Sequence, residues 1–266
     1  MEYIKIRKIK DRELKKLRKK EERILAKKEG LLKSKINPVA DKIEEVIPDK
    51  LRNTLESAFY NGFKIVLKKG SKYIEKLYDK EKIKAEHDVN NFSVFRKLNR
   101  KSIRSLDSVS RKSKLINATI STAEGAGLGL LGIGIPDIPI FIGMILKTVY
   151  EIALSYGFDY EKEEEQILIL YLICTALTNE ERQVKFNNKL DYLAEKIDLN
   201  MQVEESLEET IKLTSEVLSD SLLIAKFIQG LPIVGVLGAA TNYSVINKVS
   251  NFARIKYKKR YLKNNL

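Results

Sequence analysis

Apolar residues in this chain recur at spacings of three and four almost throughout. In "PDKLRNTLESAFYNGFKIVLKKG", Leu51, Leu55, Phe59, Phe63 and Val66 fall on one face of a helix. Period-two alternation is weak, so strands find little support. The fold class expected is all-α: a single multi-helix domain over residues 37–266, preceded by a charged helical arm over 1–36. The arm carries only a thin apolar face of Ile9, Leu14, Leu17, Ile24 and Leu25, which reads as a solvated helix. Asn37 and Pro38 suit a helix start. Further helices are expected over 71–88, 140–157, 160–178, 180–198 and 203–229, with a long final helix. Residues 90–114 are basic and serine-rich, with Phe92, Phe95, Leu98, Ile103, Leu106 and Val109 as an apolar face. Gly157, in "SYGFD", suits a helix C-cap. The helix over 160–178 opens acidic and turns apolar, which places its far end at the buried centre.

One stretch departs from this pattern. "NATISTAEGAGLGLLGIGIPDIPIFIG", residues 117–143, holds five glycines between Gly125 and Gly134, and its only charges are Glu124 and Asp137. Ser121, Gly125 and Gly129 are four apart, as are Gly235 and Ala239 in a second uncharged segment, 227–247. Such small-residue spacing lets two helix backbones touch, in lipid or in a tight soluble core. The two segments are expected to lie side by side, the first as a glycine-rich apolar helical hairpin. A simple bilayer span is disfavoured, because an aspartate at mid-helix costs about 2.5–3.5 kcal/mol on insertion scales. Asp137, flanked by Pro136 and Pro139, reads instead as a cap for the helix that follows. From Gly127, "GLGLLG" matches a dinucleotide pattern in letters, but no strand precedes it and no Walker lysine follows.

Charge is placed in blocks. Residues 1–114 hold 34 basic and 17 acidic side chains, residues 115–225 hold 7 and 19, and residues 248–266 hold 7 basic and no acidic ones. Basic ends and an acidic middle imply either an anionic partner for the ends or attraction between ends and middle. A single cysteine, Cys174 in an apolar run, excludes a disulfide framework and reads as a buried small hydrophobe. The single histidine, His87, lies in a polar stretch and reads as a solvated surface residue, so histidine-based metal or triad chemistry has no basis. No metal site and no cofactor are expected. The N-terminus lacks an apolar core of secretory length, so the expectation is a cytoplasmic protein.

Three stretches in order carry a family resemblance: "IPDKLRNTLESAFYNGFKIVLKKGSKYIEK", "TAEGAGLGLLGIGIPDIPIFIGMILKTVYEIALSYGFDYEKEEEQILILYL" and "LPIVGVLGAATNYSVINKVSNFARIKYKKRYL". Together they resemble the EcsC family over about residues 45–262, with the arm outside. Glu124, Gly125, Asp137, Pro139, Tyr156, Gly157, Asn242 and Arg260 occupy the motif positions. The resemblance implies no catalytic activity or cofactor and assigns these positions no chemistry. It does imply a link to ABC transporters, beside whose genes the family is named.

The leading functional expectation is a non-enzymatic protein held peripherally on the inner face of the cell membrane, or against a membrane transporter. Lys256, Lys258, Lys259, Arg260 and Lys263 are the residues expected to touch anionic lipid, at about 1 kcal/mol per cation near the surface. Removing residues 254–266 is then expected to weaken that binding. An alternative is an enzyme or metal or small-ligand protein, with Glu124 and Asp137 as a carboxylate pair and Tyr156, Asn242 or Arg260 nearby. Structural roles compete: Asp137 as a cap, Glu124 paired with Arg260 or Lys147. Nucleic-acid binding through the arm and residues 94–114 is a further alternative, with no recognised motif, so no specific nucleic-acid partner is expected.

Overall fold

The computed structural model describes residues 2–26, 47–68, 74, 78–99, 101–107, 137–228 and 239–266. Among them every regular element is a helix and there is no strand, as the apolar spacing predicts. The helices are α1 (Glu2–Leu25), α2 (Asp49–Lys68), α3 (Lys80–Arg96), α4 (Asp137–Ser155), α5 (Glu163–Leu177), α6 (Glu180–Asp198), α7 (Leu207–Ile228) and α8 (Ala239–Asn265). Residues 101–107 form a further short helical turn. The expected glycine hairpin, with Glu124 and Gly125, and the expected 36/37 boundary lie outside the described residues, as does most of the second glycine segment.

The centre of the bundle is α5, with α8 across it. α5 opens on Glu163, Glu164 and Glu165, which suit the positive end of the helix dipole. Its later residues Leu168, Ile169, Leu170, Leu172 and Ile173 are all buried, so it is covered on every side. Cys174 is buried there as expected, and burial pushes its thiol up to about 12. α8 packs against α1, α4, α5, α6 and α7. Residues Leu55, Phe59, Phe63 and Val66 of α2 are buried as the spacing predicts, against α4 and α7. The α2–α4 approach is close at Gly62, where a Cβ would stand 2.6 Å from Ile142 Cδ1 and 3.2 Å from Ile138 Cγ2.

α4 is long and apolar enough to cross a bilayer over Ile138–Ser155, at a mean hydropathy of 1.6, yet 89% of that stretch is buried inside the protein. Its two charges, Lys147 and Glu151, pair with each other at 3.1 Å. The helix starts at Asp137 itself, three residues earlier than expected, so Asp137 and Pro139 both lie in its first turn. It stops at Gly157, as expected. Gly157 takes φ +82°, and Phe158 N–H returns to the Ala153 carbonyl at 3.0 Å, a left-handed cap that glycine adopts without strain.

Four expectations are corrected. The helix expected over 71–88 is interrupted: Ile74 is helical, residues 78 and 79 are not, and α3 starts at Lys80 and runs on to Arg96, because Asp79 caps it by accepting from Lys82 N–H at 2.9 Å. Along that helix Phe92 and Phe95 face solvent, whereas Val94 is buried; the helix has apolar residues on both sides, and the pattern named the wrong ones as core. His87 is half-buried: its Nδ1 donates to the Ser155 carbonyl at 3.1 Å and its ring lies against Gly157. The arm is helical over α1, but it is not solvated along its length. Leu14 and Leu17 are buried, and α1 packs on α8.

Candidate functional site: the basic end of the last helix

Consecutive residues of a helix point about 100° apart. The run Lys256, Tyr257, Lys258, Lys259, Arg260 therefore fans its charges in several directions, towards α1, α5, α6 and the 101–107 turn. Lys256 reaches Asp191 of α6 at 2.6 Å and also pairs with Glu21 of α1. Lys258 holds both oxygens of Asp107, at 2.9 and 2.8 Å. Lys259 reaches Glu21 at 2.5 Å. Arg260 takes Glu165 of α5 at 2.6 Å and, through its other nitrogens, Asp198 of α6 at 2.7 and 3.1 Å.

This overturns the expectation that the tail lysines meet lipid. Lys256, Lys258 and Arg260 are 5%, 7% and 5% exposed, and their charge is already neutralised by acids from α1, α5, α6 and the 101–107 turn. Lys259 is half-buried, and only Lys263 stands in solvent. Attraction between this end and the acidic middle is seen for Lys256 and Arg260, whereas Lys258 and Lys259 meet acids of the N-terminal block.

Several motif positions converge here. Tyr156 donates to Asp107 at 2.9 Å, the same carboxylate that Lys258 grips. Gly157 turns the chain so that Phe158 lies under the Arg260 guanidinium, 4.2 Å from its ring centre. Tyr257 donates to Glu165 at 2.7 Å, and burial together with that carboxylate pushes its phenol well above the usual range. Burial likewise pushes Tyr261 up to about 12; it donates to Asn91 at 2.6 Å. Arg260 is held above its usual value: burial opposes its charge, but Glu165 and Asp198 outweigh it. Such a network of buried ion pairs ties α8 to α1, α5, α6 and the 101–107 turn and fixes their relative positions.

Asn242 sits apart, near the other end of α8. It is buried, and its side-chain oxygen has no hydrogen-bond partner among the described residues. Pro139 is half-buried in the first turn of α4. Glu124 and Gly125 lie outside the described residues, as does the side chain of Asp137, so the carboxylate pair is not brought into view. Among the described residues no three histidine, cysteine or acidic side chains converge as metal ligands do. Sequence reasoning missed Glu21, Asp107, Glu165, Asp191 and Asp198 as partners of the tail. For Glu165, Asp191 and Asp198 the only signal was the complementary charge of the blocks; Glu21 and Asp107, acids within the basic N-terminal block, gave none.

The EcsC protein family matches over residues 11–262. The chain belongs to the EcsC family. The match begins inside α1, so it reaches further towards the N-terminus than the motif resemblance, which starts near residue 45. Among relatives, Protein EcsC of Bacillus subtilis (strain 168) is 27% identical over 166 residues, which is 59% of this chain and 66% of that protein. Uncharacterized protein YdbA of the same organism is 30% identical over 147 residues, 53% of this chain and 52% of that one. The chain thus spans between half and two thirds of the length of the curated relatives it matches. No solved structure matches it. In this EcsC-family chain the Tyr156-Gly157-Phe158 turn and the Arg260 position meet through Phe158, which lies under the guanidinium.

Proposed function

We propose that this EcsC-family protein is a non-enzymatic helical protein that docks peripherally on an anionic membrane surface. The observation that carries the reading is on α3. Val89, Phe92 and Phe95 are 67%, 66% and 61% exposed on its outer side. Arg96, Lys97, Lys101 and Arg104 follow directly and are all exposed. A solvent-facing pair of phenylalanines beside a cluster of cations suits an interface in which rings enter the acyl boundary and cations meet headgroup phosphates. Asp88 lies on the same side and opposes this in part. The role first expected of the C-terminal lysines passes to this face, because most of those lysines are engaged inside the bundle.

Co-sedimentation with vesicles of phosphatidylcholine alone, and of phosphatidylcholine mixed with phosphatidylglycerol, tests the reading. Binding is expected on the anionic vesicles and should weaken with salt, since the charge part is screened beyond about 8 Å at physiological ionic strength. Phe92→Ser and Phe95→Ser should each lower the affinity about tenfold, the loss expected for one partly inserted ring. Both side chains are exposed, so neither variant should alter the melt. A protein that ignores anionic vesicles at low salt overturns the reading.

A further inference from the structure

A second charged feature lies between α1, the 101–107 turn and α8. Two adjoining openings of about 450 and 280 Å³ share Leu17, Lys20, Asp107 and Lys258. Arg12, Lys16 and Arg104 complete the cationic lining of the first; Arg23 and Arg254 complete that of the second. The lining carboxylates are Glu13 and Asp107, and both are engaged: Glu13 by Lys16, Asp107 by Lys258 and Tyr156. Arg12, Lys20, Arg23, Arg104 and Arg254 have no carboxylate partner among the described residues. The Nε of Arg254 is fully buried and has no hydrogen-bond partner among the described residues.

The pattern on α1 sharpens this. Arg12, Lys16 and Lys20 are four apart and Arg23 follows three later, so they form one basic stripe. Like charges at that spacing destabilise a helix unless something neutralises them. The acids Asp11, Glu21 and Glu22 of α1 fall on its other sides. The 101–107 turn is in turn fixed by Asn99, whose Oδ1 accepts from Lys101 N–H at 2.7 Å and Ser102 N–H at 3.0 Å, so Arg104 is presented from a rigid base.

We infer that this cleft is a binding site for a ligand carrying phosphate groups. Arginine forks match phosphate oxygens in planar, paired contacts, and the cleft offers four arginines with no acid of their own. The shared chemistry is a phosphate ester or diphosphate, whether on a soluble molecule or on a lipid headgroup. The site shares Arg104 with the cations beside the Val89–Phe95 face but none of that face's apolar residues, so it does not depend on the phenylalanines.

The full chain, titrated with inorganic pyrophosphate by calorimetry, is expected to show saturable binding. The double variant Lys20→Ala/Arg104→Ala should weaken it about tenfold or more, because it removes two of the unpaired cations. Both side chains are exposed, so the fold should hold, and a melt checks this. Lys84→Ala/Lys185→Ala removes the same charge elsewhere and should leave the affinity unchanged. Phe92→Ser/Phe95→Ser should also leave it unchanged, which separates this site from the vesicle-docking face. Short-chain, water-soluble phosphatidylglycerol that competes with pyrophosphate identifies a headgroup site; failure to compete identifies a soluble phosphorylated ligand. No saturable binding, or equal weakening in the Lys20/Arg104 and Lys84/Lys185 pairs, overturns the inference.

Discussion

At the scale of a residue, Gly157 shows how a short motif becomes a structural demand. Its φ of +82° is open to glycine and costly for other residues. The space is closed as well: a Cβ there would lie 2.5 Å from His87 Nε2 and 2.8 Å from its Cε1. Gly157→Ala should therefore cost about 1–3 kcal/mol, the sum of left-handed strain and displacement of the imidazole. Chemical denaturation measures it. Adding His87→Ala should return the steric part and leave the backbone part, so the double variant should be more stable than Gly157→Ala alone. That glycine ends a helix is legible from "SYGFD". That a histidine from a helix 70 residues away fills the space beside it is not, because sequence gives no distance between non-neighbouring helices. The same gap made His87 look like a surface residue.

At the scale of an element, α8 is the clearest case of a helix whose pattern misleads. Read alone, "ARIKYKKRYLKNN" is the polar, aromatic-studded end of a solvated or lipid-facing helix. In the bundle Lys256, Lys258, Lys259 and Arg260 each have an acid opposite them. Arg260 ties α8 to α5 and α6 at once, through Glu165 and Asp198. Arg260→Met would strand two carboxylates beside an apolar side chain, and breaking a buried pair in this way typically costs about 3–5 kcal/mol. Thermal melts of Arg260→Met and of Arg260→Met/Glu165→Gln provide the check. The second change removes one stranded charge, so it should recover part of the loss; no recovery would mean that the cost arises elsewhere, for example in the contact with Phe158. Helix positions were read far better than helix partners. α6 was expected over 180–198 and is found there, because its amphipathic period and its ends are local properties. On α3 the apolar residues fall on both sides, so periodicity alone could not say which side is core.

At the scale of the whole molecule, α8 closes the bundle. Ile255, Tyr257, Tyr261 and Leu262 are each buried to 6% exposure or less. Four such side chains contribute about 1.5–3 kcal/mol apiece, which together is comparable with the roughly 5–15 kcal/mol that holds a domain folded. Deleting residues 254–266 should thus abolish the cooperative unfolding transition, seen as loss of the sigmoidal melt by circular dichroism. The sequence reading expected the same deletion only to weaken lipid binding. A truncated chain that still melts cooperatively would mean that the bundle closes without the end of α8.

The sequence by itself determined the class of the fold, the position of most helices, the stop at Gly157 and the arrangement of charge in basic and acidic blocks. These follow from local period, capping chemistry and composition, which act between near neighbours. Family membership was legible too, through three ordered stretches. Only the tertiary structure decided where the charge goes. Lys259 meets Glu21 across 238 residues and Arg260 meets Glu165 across 95. A lysine facing water and a lysine facing a buried carboxylate look the same in sequence, because the difference lies in the dielectric and the partner that packing supplies. The same packing leaves Arg12, Lys20 and Arg104 without an acid, and so turns an undistinguished run of basic residues into a cleft with a chemical preference.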